Sequence, residues 1–283
     1  MARIAHLSDL HFGAHDDRLV AALEEWLDEA RPDLVVVSGD FTQRARTEQF
    51  KEACRFLERL KSAGHDVLGV PGNHDVPLYD VLRRFLSPLS RYRRFIDDTL
   101  CPFHELPGAA VLGINTARSM TFKDGRINED QVDFIRESFA RTRPDTTKIL
   151  VTHHPLFAVP VGEGPALGEP VGGHELALRT IAEAGVDMLL AGHDHRASTH
   201  HARDLVTDAG PALVIQAGTA TSTRVRDEEQ SFNLIVVGKG EATVAVQSWD
   251  GSAYRSRDAE RFVRRGGHWE TATGEQLAEA PQA

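Results

Sequence analysis

The chain has 283 residues and carries 42 acidic against 32 basic side chains, a formal net charge of −10. That balance disfavours an extended nucleic-acid or anionic-membrane surface, and a composition of 41% hydrophobic and 26% charged residues excludes a disordered chain. Two cysteines, Cys54 and Cys101, cannot form a disulfide framework and suit a reducing cytoplasm. The N-terminus runs into a strand with no apolar leader, and no 18-residue apolar run occurs, so neither a signal peptide nor a membrane span is expected. Fourteen histidines beside two cysteines imply that any bound metal sits on nitrogen and oxygen donors.

Apolar runs at residues 4–7, 34–37, 67–70, 111–114, 149–151 and 188–190 read as buried strands. Between the first two, Leu19, Leu23, Trp26, Leu27 and Ala30 recur at helical spacing. Between the second and third, Phe50, Ala53, Cys54, Leu57 and Leu60 do the same, up to a stop at Gly64, which places the Cys54 thiol in the core. This alternation predicts a mixed or parallel sheet covered by helices. After residue 197 the runs 212–216, 232–237 and 242–246 are separated only by short polar loops, and a second, more antiparallel sheet is expected. Residues 1–250 are read as one domain. Residues 76–105 form a helical, lid-like insertion, the Pro- and Gly-rich 156–173 is a loop, and the Arg-bearing 251–283 is a C-terminal extension.

Five of the apolar strands end in polar clusters: Ser8-Asp9-Leu10-His11, Ser38-Gly39-Asp40, Gly72-Asn73-His74-Asp75, Thr152-His153-His154-Pro155 and Gly192-His193-Asp194-His195. Ligands bind at the carboxyl ends of strands in α/β sheets, so these groups should converge. Gathering such carboxylates and imidazoles without a cation would bury like charges at several kcal/mol each. At least seven candidate donors exceed what one four-to-six-coordinate ion uses, so two ions fit better. In extended chain, residues two apart face one side at about 6.5 Å, which would let Asp9 with His11, and His193 with His195, each serve a shared site.

Together these five blocks resemble the signature of the calcineurin-like metallophosphoesterases over roughly residues 3–250, with no block altered. The resemblance implies a four-layer α/β/β/α sandwich, two mixed sheets flanked by helices, with a dinuclear metal site at one edge. It implies one divalent ion on Asp9, His11, Asp40 and His195, and a second on Asp40, Asn73, His153 and His193, with Asp40 bridging. Mn, Fe and Zn all suit these donors. Asn73 is also expected to hold a phosphoryl oxygen, His74 to lie beside the leaving group, and Asp75 to orient the His74 ring. His154 reads equally as a pocket group or a satisfied core histidine. Two bridged cations lower the pKa of bound water toward about 7, which makes hydroxide available for in-line attack on phosphorus.

Within that family the length and the close Gly-His-Asp-His resemble the bacterial cyclic-nucleotide and glycerophosphodiester phosphodiesterases. A small phosphodiester is therefore the expected substrate. A UDP-diacylglucosamine-type pyrophosphatase, a DNA exonuclease and a non-enzymatic metal-binding module are the rivals. Arg83, Arg84, Arg91, Arg93 and Arg94, with Arg118, are either a solvated face or a basic lip for phosphate. Phe85, Leu86, Leu89, Phe95 and Ile96 either line an acyl pocket or belong to the core. Homo-oligomerisation is left open, with residues 251–283 available to cap a neighbouring subunit.

Overall fold

The computed structural model describes residues 1–120, 124–160, 166–167, 171–206, 210–224 and 228–272. Its elements through the first half are β1 (Ala2–Leu7), α1 (Asp17–Ala30), β2 (Leu34–Val37), α2 (Thr47–Ser62), β3 (Val67–Gly69), α3 (Val81–Leu86), α4 (Ser90–Phe95), β4 (Phe103–Leu106), β5 (Ala109–Gly113), α5 (Glu129–Ala140) and β6 (Thr147–Val151). There follow β7 (Val159–Pro160), β8 (Ala166–Leu167), α6 (His174–Ala184), β9 (Met188–Ala191), β10 (Ser198–His201), α7 (Ala202–Leu205), β11 (Leu213–Gln216), β12 (Ser231–Gly238), β13 (Glu241–Trp249), β14 (Tyr254–Arg265) and β15 (His268–Thr271). No helix among the described residues is long and apolar enough to cross a membrane.

β7 and β8 pair with each other, and the other strands form two mixed sheets, ordered β15-β14-β13-β12-β1-β2-β3 and β10-β11-β9-β6-β5-β4. In the first, β1, β2 and β3 run parallel while β12 to β15 add antiparallel to the β1 edge. In the second, β5, β6, β9 and β11 are parallel and the edges β4 and β10 antiparallel. Strands covered on both faces need no polar alternation, which is why Leu34–Val37 and Met188–Ala191 are unbroken apolar runs, buried throughout.

Three cores separate the four layers. Ile4, Val36, Val70, Val111, Ile149, Leu190 and Phe262 fill the space between the sheets. Leu23, Leu27, Phe50 and Phe56 of α1 and α2 cover the outer face of the first sheet, and Val132, Ile135, Leu178 and Ile181 of α5 and α6 that of the second. His6 also lies between the sheets, its Nε2 2.9 Å from Ser38 Oγ, and burial pushes its imidazole down to about 3. It is a neutral core histidine.

Several expectations change. The strands after residue 197 do not make a separate antiparallel sheet: β10 and β11 complete the second sheet, whereas β12 and β13 return to the first beside β1. Residues 254–271, read as part of an extension, are β14 and β15. Their arginines hid this, yet Phe262 and Trp269 are buried between the sheets, and Arg264 pairs with buried Asp187 of the opposite sheet at 2.8 Å. The rest of that extension, 273–283, lies outside the described residues, as do 161–165 and 168–170 of the 156–173 loop. Cys54 sits at the margin of its helix stripe rather than in the core, half-buried, with Sγ 3.6 Å from Glu58 Oε1. In the 76–105 connection, Leu89 is buried and Phe95 and Ile96 pack against the α1–α2 core, while Phe85 and Leu86 are exposed.

Because Phe262 fills the inter-sheet core, Phe262→Ala should cost about 3–5 kcal/mol. Urea denaturation of the variant against the parent protein measures this, and a loss under about 1 kcal/mol would detach β14 from the core.

Candidate metal centre and active cleft

The carboxyl ends of β1, β2, β3, β6 and β9 lie along one edge of the sandwich and hydrogen-bond to one another. Asp9 N donates to the Gly39 carbonyl (3.1 Å), His11 N to that of Asp40 (2.9 Å) and Gly192 N to that of His153 (3.0 Å). Here the chain leaves the extended conformation: Asp9, His11, Asp40, His193 and His195 have φ of 53°, 50°, 54°, 75° and 59°. The expected extended spacing of the Asp-x-His and His-x-His pairs is thus replaced by left-handed residues that turn successive side chains inward. Such conformations cost of order 1–3 kcal/mol each in a non-glycine residue and persist only where surroundings over-determine them. Two glycines permit the approach. A Cβ on Gly72 would overlap the Asp40 backbone and carboxylate, and one on Gly192 would overlap Ser8 Oγ.

Each central carboxylate is anchored through one oxygen and turns the other toward imidazoles. Asp9 Oδ2 accepts from Ser8 Oγ (2.6 Å) and His193 N (3.0 Å), while Oδ1 lies 3.1 Å from His195 Nε2 and 3.5 Å from His11 Nε2. Asp40 Oδ1 accepts from His74 N (2.8 Å), while Oδ2 lies 3.4 Å from His153 Nε2 and 3.8 Å from His11 Nε2. Asn73 Oδ1 is 3.1 Å from both His153 Nε2 and His193 Nδ1. Two donor groups therefore meet at Asp40 Oδ2, the one around His11 and His195, the other around Asn73, His153 and His193.

Backbone carbonyls set the imidazole tautomers. His153 Nδ1 donates to Ser38 O (2.7 Å), His195 Nδ1 to Arg224 O (3.0 Å) and His74 Nδ1 to Gln43 O (2.7 Å). In each neutral ring the Nε2 lone pair is then left for the site, the arrangement that outer hydrogen bonds impose on metal-binding histidines. His11 Nε2 and His195 Nε2 face one another at 3.2 Å, which suits two donors to one cation. The donor set, oxygen and imidazole nitrogen without thiolate, fits the divalent ions expected from the sequence.

Burial alone would raise both carboxyls, but the imidazoles around them outweigh it. His195 and His11 hold Asp9 well below the usual carboxylate range, and His153 and His74 do the same for Asp40. Burial would likewise lower His153, yet the Asp40 carboxylate raises it to about 10, and Asp9 raises His195. Burial prevails at His11, which is lowered.

The His74 ring stands edge-on to His11 at 4.9 Å, with one nitrogen within 4.8 Å of donors on His11 and Asp40. The expected Asp75–His74 orientation is not what holds that ring. The buried Asp75 carboxylate accepts from Gly72 N, Phe41 N, Thr42 N and Thr42 Oγ1, tying two loops together, and Gln43 orients His74 instead. His154 is buried, with Nδ1 2.7 Å from Thr116 Oγ1, and its ring packs on those of His153 and His193.

Above these groups opens a cleft of about 1200 Å³, lined among others by His74, Tyr79, Arg44, Arg46, Arg84, Arg196 and Arg224. Of the arginines singled out from sequence, Arg84 alone lines it among the described residues. Arg83 pairs with Asp80, Arg93 with Asp98, Arg91 donates to Ala45 O, Arg94 lies over the Phe95 ring, and Arg118 bonds the Asn115 carbonyl and Gln131. Arg44, Arg46, Arg196, Arg224, Tyr79 and Gln43 escaped sequence reasoning. For Gln43, Arg44, Arg46 and Arg196 the available signal was nearness to the Asp40 and His195 motifs, and for Tyr79 nearness to Asp75, while Arg224 had none.

The Asp40 carboxylate raises His153, so a cation taking its Nε2 competes with a proton there. Mn²⁺ binding to the metal-free protein should therefore release protons and tighten as pH rises from about 6 to about 8. Titration calorimetry in two buffers of different ionisation enthalpy reads the release, and binding with neither release nor pH dependence would contradict that competition at His153.

Residues 2–197 match the calcineurin-like phosphoesterase family. The chain is 26% identical to a cAMP/cGMP dual specificity phosphodiesterase of Mycobacterium tuberculosis, over 83% of this chain and 75% of that protein. It is 25% identical to a glycerophosphodiester phosphodiesterase of Enterobacter lignolyticus, over 75% of this chain and 78% of that protein. Its fold is similar to that of a dimetal phosphatase from Danio rerio, with a TM-score of 0.62 at 14% identity, covering 87% of this chain and 96% of that one. The chain belongs to the calcineurin-like phosphoesterase family.

Proposed function

We propose that this protein is a metal-dependent phosphodiesterase that hydrolyses small diesters and acts in the cytoplasm. The observation that carries the reading is Asp40 Oδ2, placed between the His11 and His153 donors at 3.8 and 3.4 Å. In this reading Asp9, His11, Asp40 and His195 hold one divalent ion, Asp40, Asn73, His153 and His193 hold a second, and Mn, Fe and Zn are the candidates. Such ions supply Lewis acidity toward phosphoryl oxygens and a nucleophilic water at neutral pH. The relatives named as cyclic-nucleotide and glycerophosphodiester phosphodiesterases support the substrate class. Two free cysteines are compatible with the compartment.

The chain's own residues supply orientation and proton transfer. In this reading the Asn73 amide holds a phosphoryl oxygen, and Arg44, Arg196 and Arg224, which line the cleft, give it positive charge despite the acidic total. His74 keeps its Nδ1 proton on the Gln43 carbonyl and, when protonated at Nε2, donates that proton to the departing oxygen. Asp75 maintains the two loops on which Asn73, His74 and Asp40 are carried.

With Mn²⁺ the protein should hydrolyse bis-p-nitrophenyl phosphate faster than p-nitrophenyl phosphate and lose the activity to chelator. His74→Ala should lower kcat by about 10²–10⁴-fold on an alkyl diester with a poor leaving group and much less on the nitrophenyl diester. Equal losses on both substrates would remove His74 from proton donation, and absence of hydrolysis with any diester would contradict the reading.

A further inference from the structure

Tyr79 is 70% exposed and yet faces the same cleft as the metal-centre residues. The Arg44 guanidinium carbon lies 5.7 Å from its ring centroid, over the ring. This covers one face of the ring with a cation and leaves the rest of the ring to the cleft. The backbone that carries each partner is held. Arg44 N donates to Gln49 Oε1 (2.9 Å) in the loop that follows Asp40 and Gln43. The segment bearing Tyr79 is pinned by Arg84, which is buried beneath α3 and donates to Pro77 O (2.9 Å) and Ser119 O (2.7 Å). In α3 the buried residue is thus an arginine, while Val81, Leu82, Phe85 and Leu86 stay exposed. Helix packing has been given up to fix the chain just before it.

We propose that Tyr79, backed by Arg44, is a specificity-determining platform that stacks a planar heteroaromatic group of the substrate, so that the preferred diester carries a nucleobase. The proposal rests on the phosphodiesterase reading and narrows its substrate class to nucleotides over glycerol diesters. A cleft of about 1200 Å³ has room for base, sugar and phosphate together. Stacking on an exposed aromatic ring is tolerant of base identity, so the platform selects for a base without selecting which one. A guanidinium under the ring, in place of aliphatic side chains, suits a heteroaromatic group better than an acyl chain.

The test compares binding of adenosine 5′-monophosphate and ribose 5-phosphate, which differ only in the base, to the Mn²⁺-loaded full chain by titration calorimetry. The nucleotide should bind the parent protein about 5- to 150-fold more tightly. Tyr79→Ala should collapse that ratio toward one and Tyr79→Phe should keep it. Since Tyr79 is largely exposed, the truncation leaves no core cavity. An equal affinity for both ligands in the parent protein, no binding of the nucleotide, or a ratio untouched by Tyr79→Ala would overturn the platform. The readout is separate from turnover: a Tyr79-dependent preference in a protein that hydrolyses no diester would sustain the platform and refute the enzyme.

Discussion

Two carboxylates with almost no solvent, Asp9 and Asp40 at 0% and 1% exposure, govern the rest of the structure. Charges withdrawn from water cost several kcal/mol each unless neutralised and hydrogen-bonded. Each carboxylate meets that condition in two ways, with one oxygen fixed by hydroxyl or backbone donors and the other turned into a ring of imidazole nitrogens. The left-handed backbone at five ligand candidates, the two glycines that let strand ends touch, and the carbonyls of Ser38, Gln43 and Arg224 that fix imidazole tautomers all serve this arrangement. Cations complete it.

The fold supplies the rigidity that such a site requires. Asp9, His11 and Asp40 come from the first sheet, His153, His193 and His195 from the second, so the packing between the sheets fixes the separation of the two halves. β1 stands at the junction between the parallel and antiparallel parts of its sheet, hydrogen-bonded on both edges. The C-terminal strands matter for the same reason. Phe262 and Trp269 extend the inter-sheet core, and the Arg264–Asp187 pair ties one sheet to the other.

Much of this was legible in the residues, for identifiable reasons. Strands buried on both faces leave continuous apolar runs, and polar clusters directly after them mark their carboxyl ends, so both the strands and the residues gathered at that edge could be read from the sequence. What escaped depends on three dimensions. β14 buries Phe262 among arginines, one of which, Arg264, shares its face and reaches Asp187 of the other sheet, and it therefore reads as polar. That residues 231–249 return to the first sheet while 213–216 stay in the second is decided by the open edge beside β1, a feature without local signature. The arginines of 83–94 share one composition but different fates, because helix orientation sends Arg84 inward and Arg93 to Asp98. Asp75 follows His74 in sequence, yet its carboxylate turns back to the 41–42 loop.

The shared position of Asp40 makes the number of bound ions the most direct measure of the whole arrangement. Elemental analysis of protein purified without chelator and reconstituted with Mn²⁺ should give two ions per chain. Asp40→Ala should lose both, and Asn73→Ala should retain one. A single ion in the parent protein, or two ions surviving in Asp40→Ala, would contradict a centre built around one bridging carboxylate.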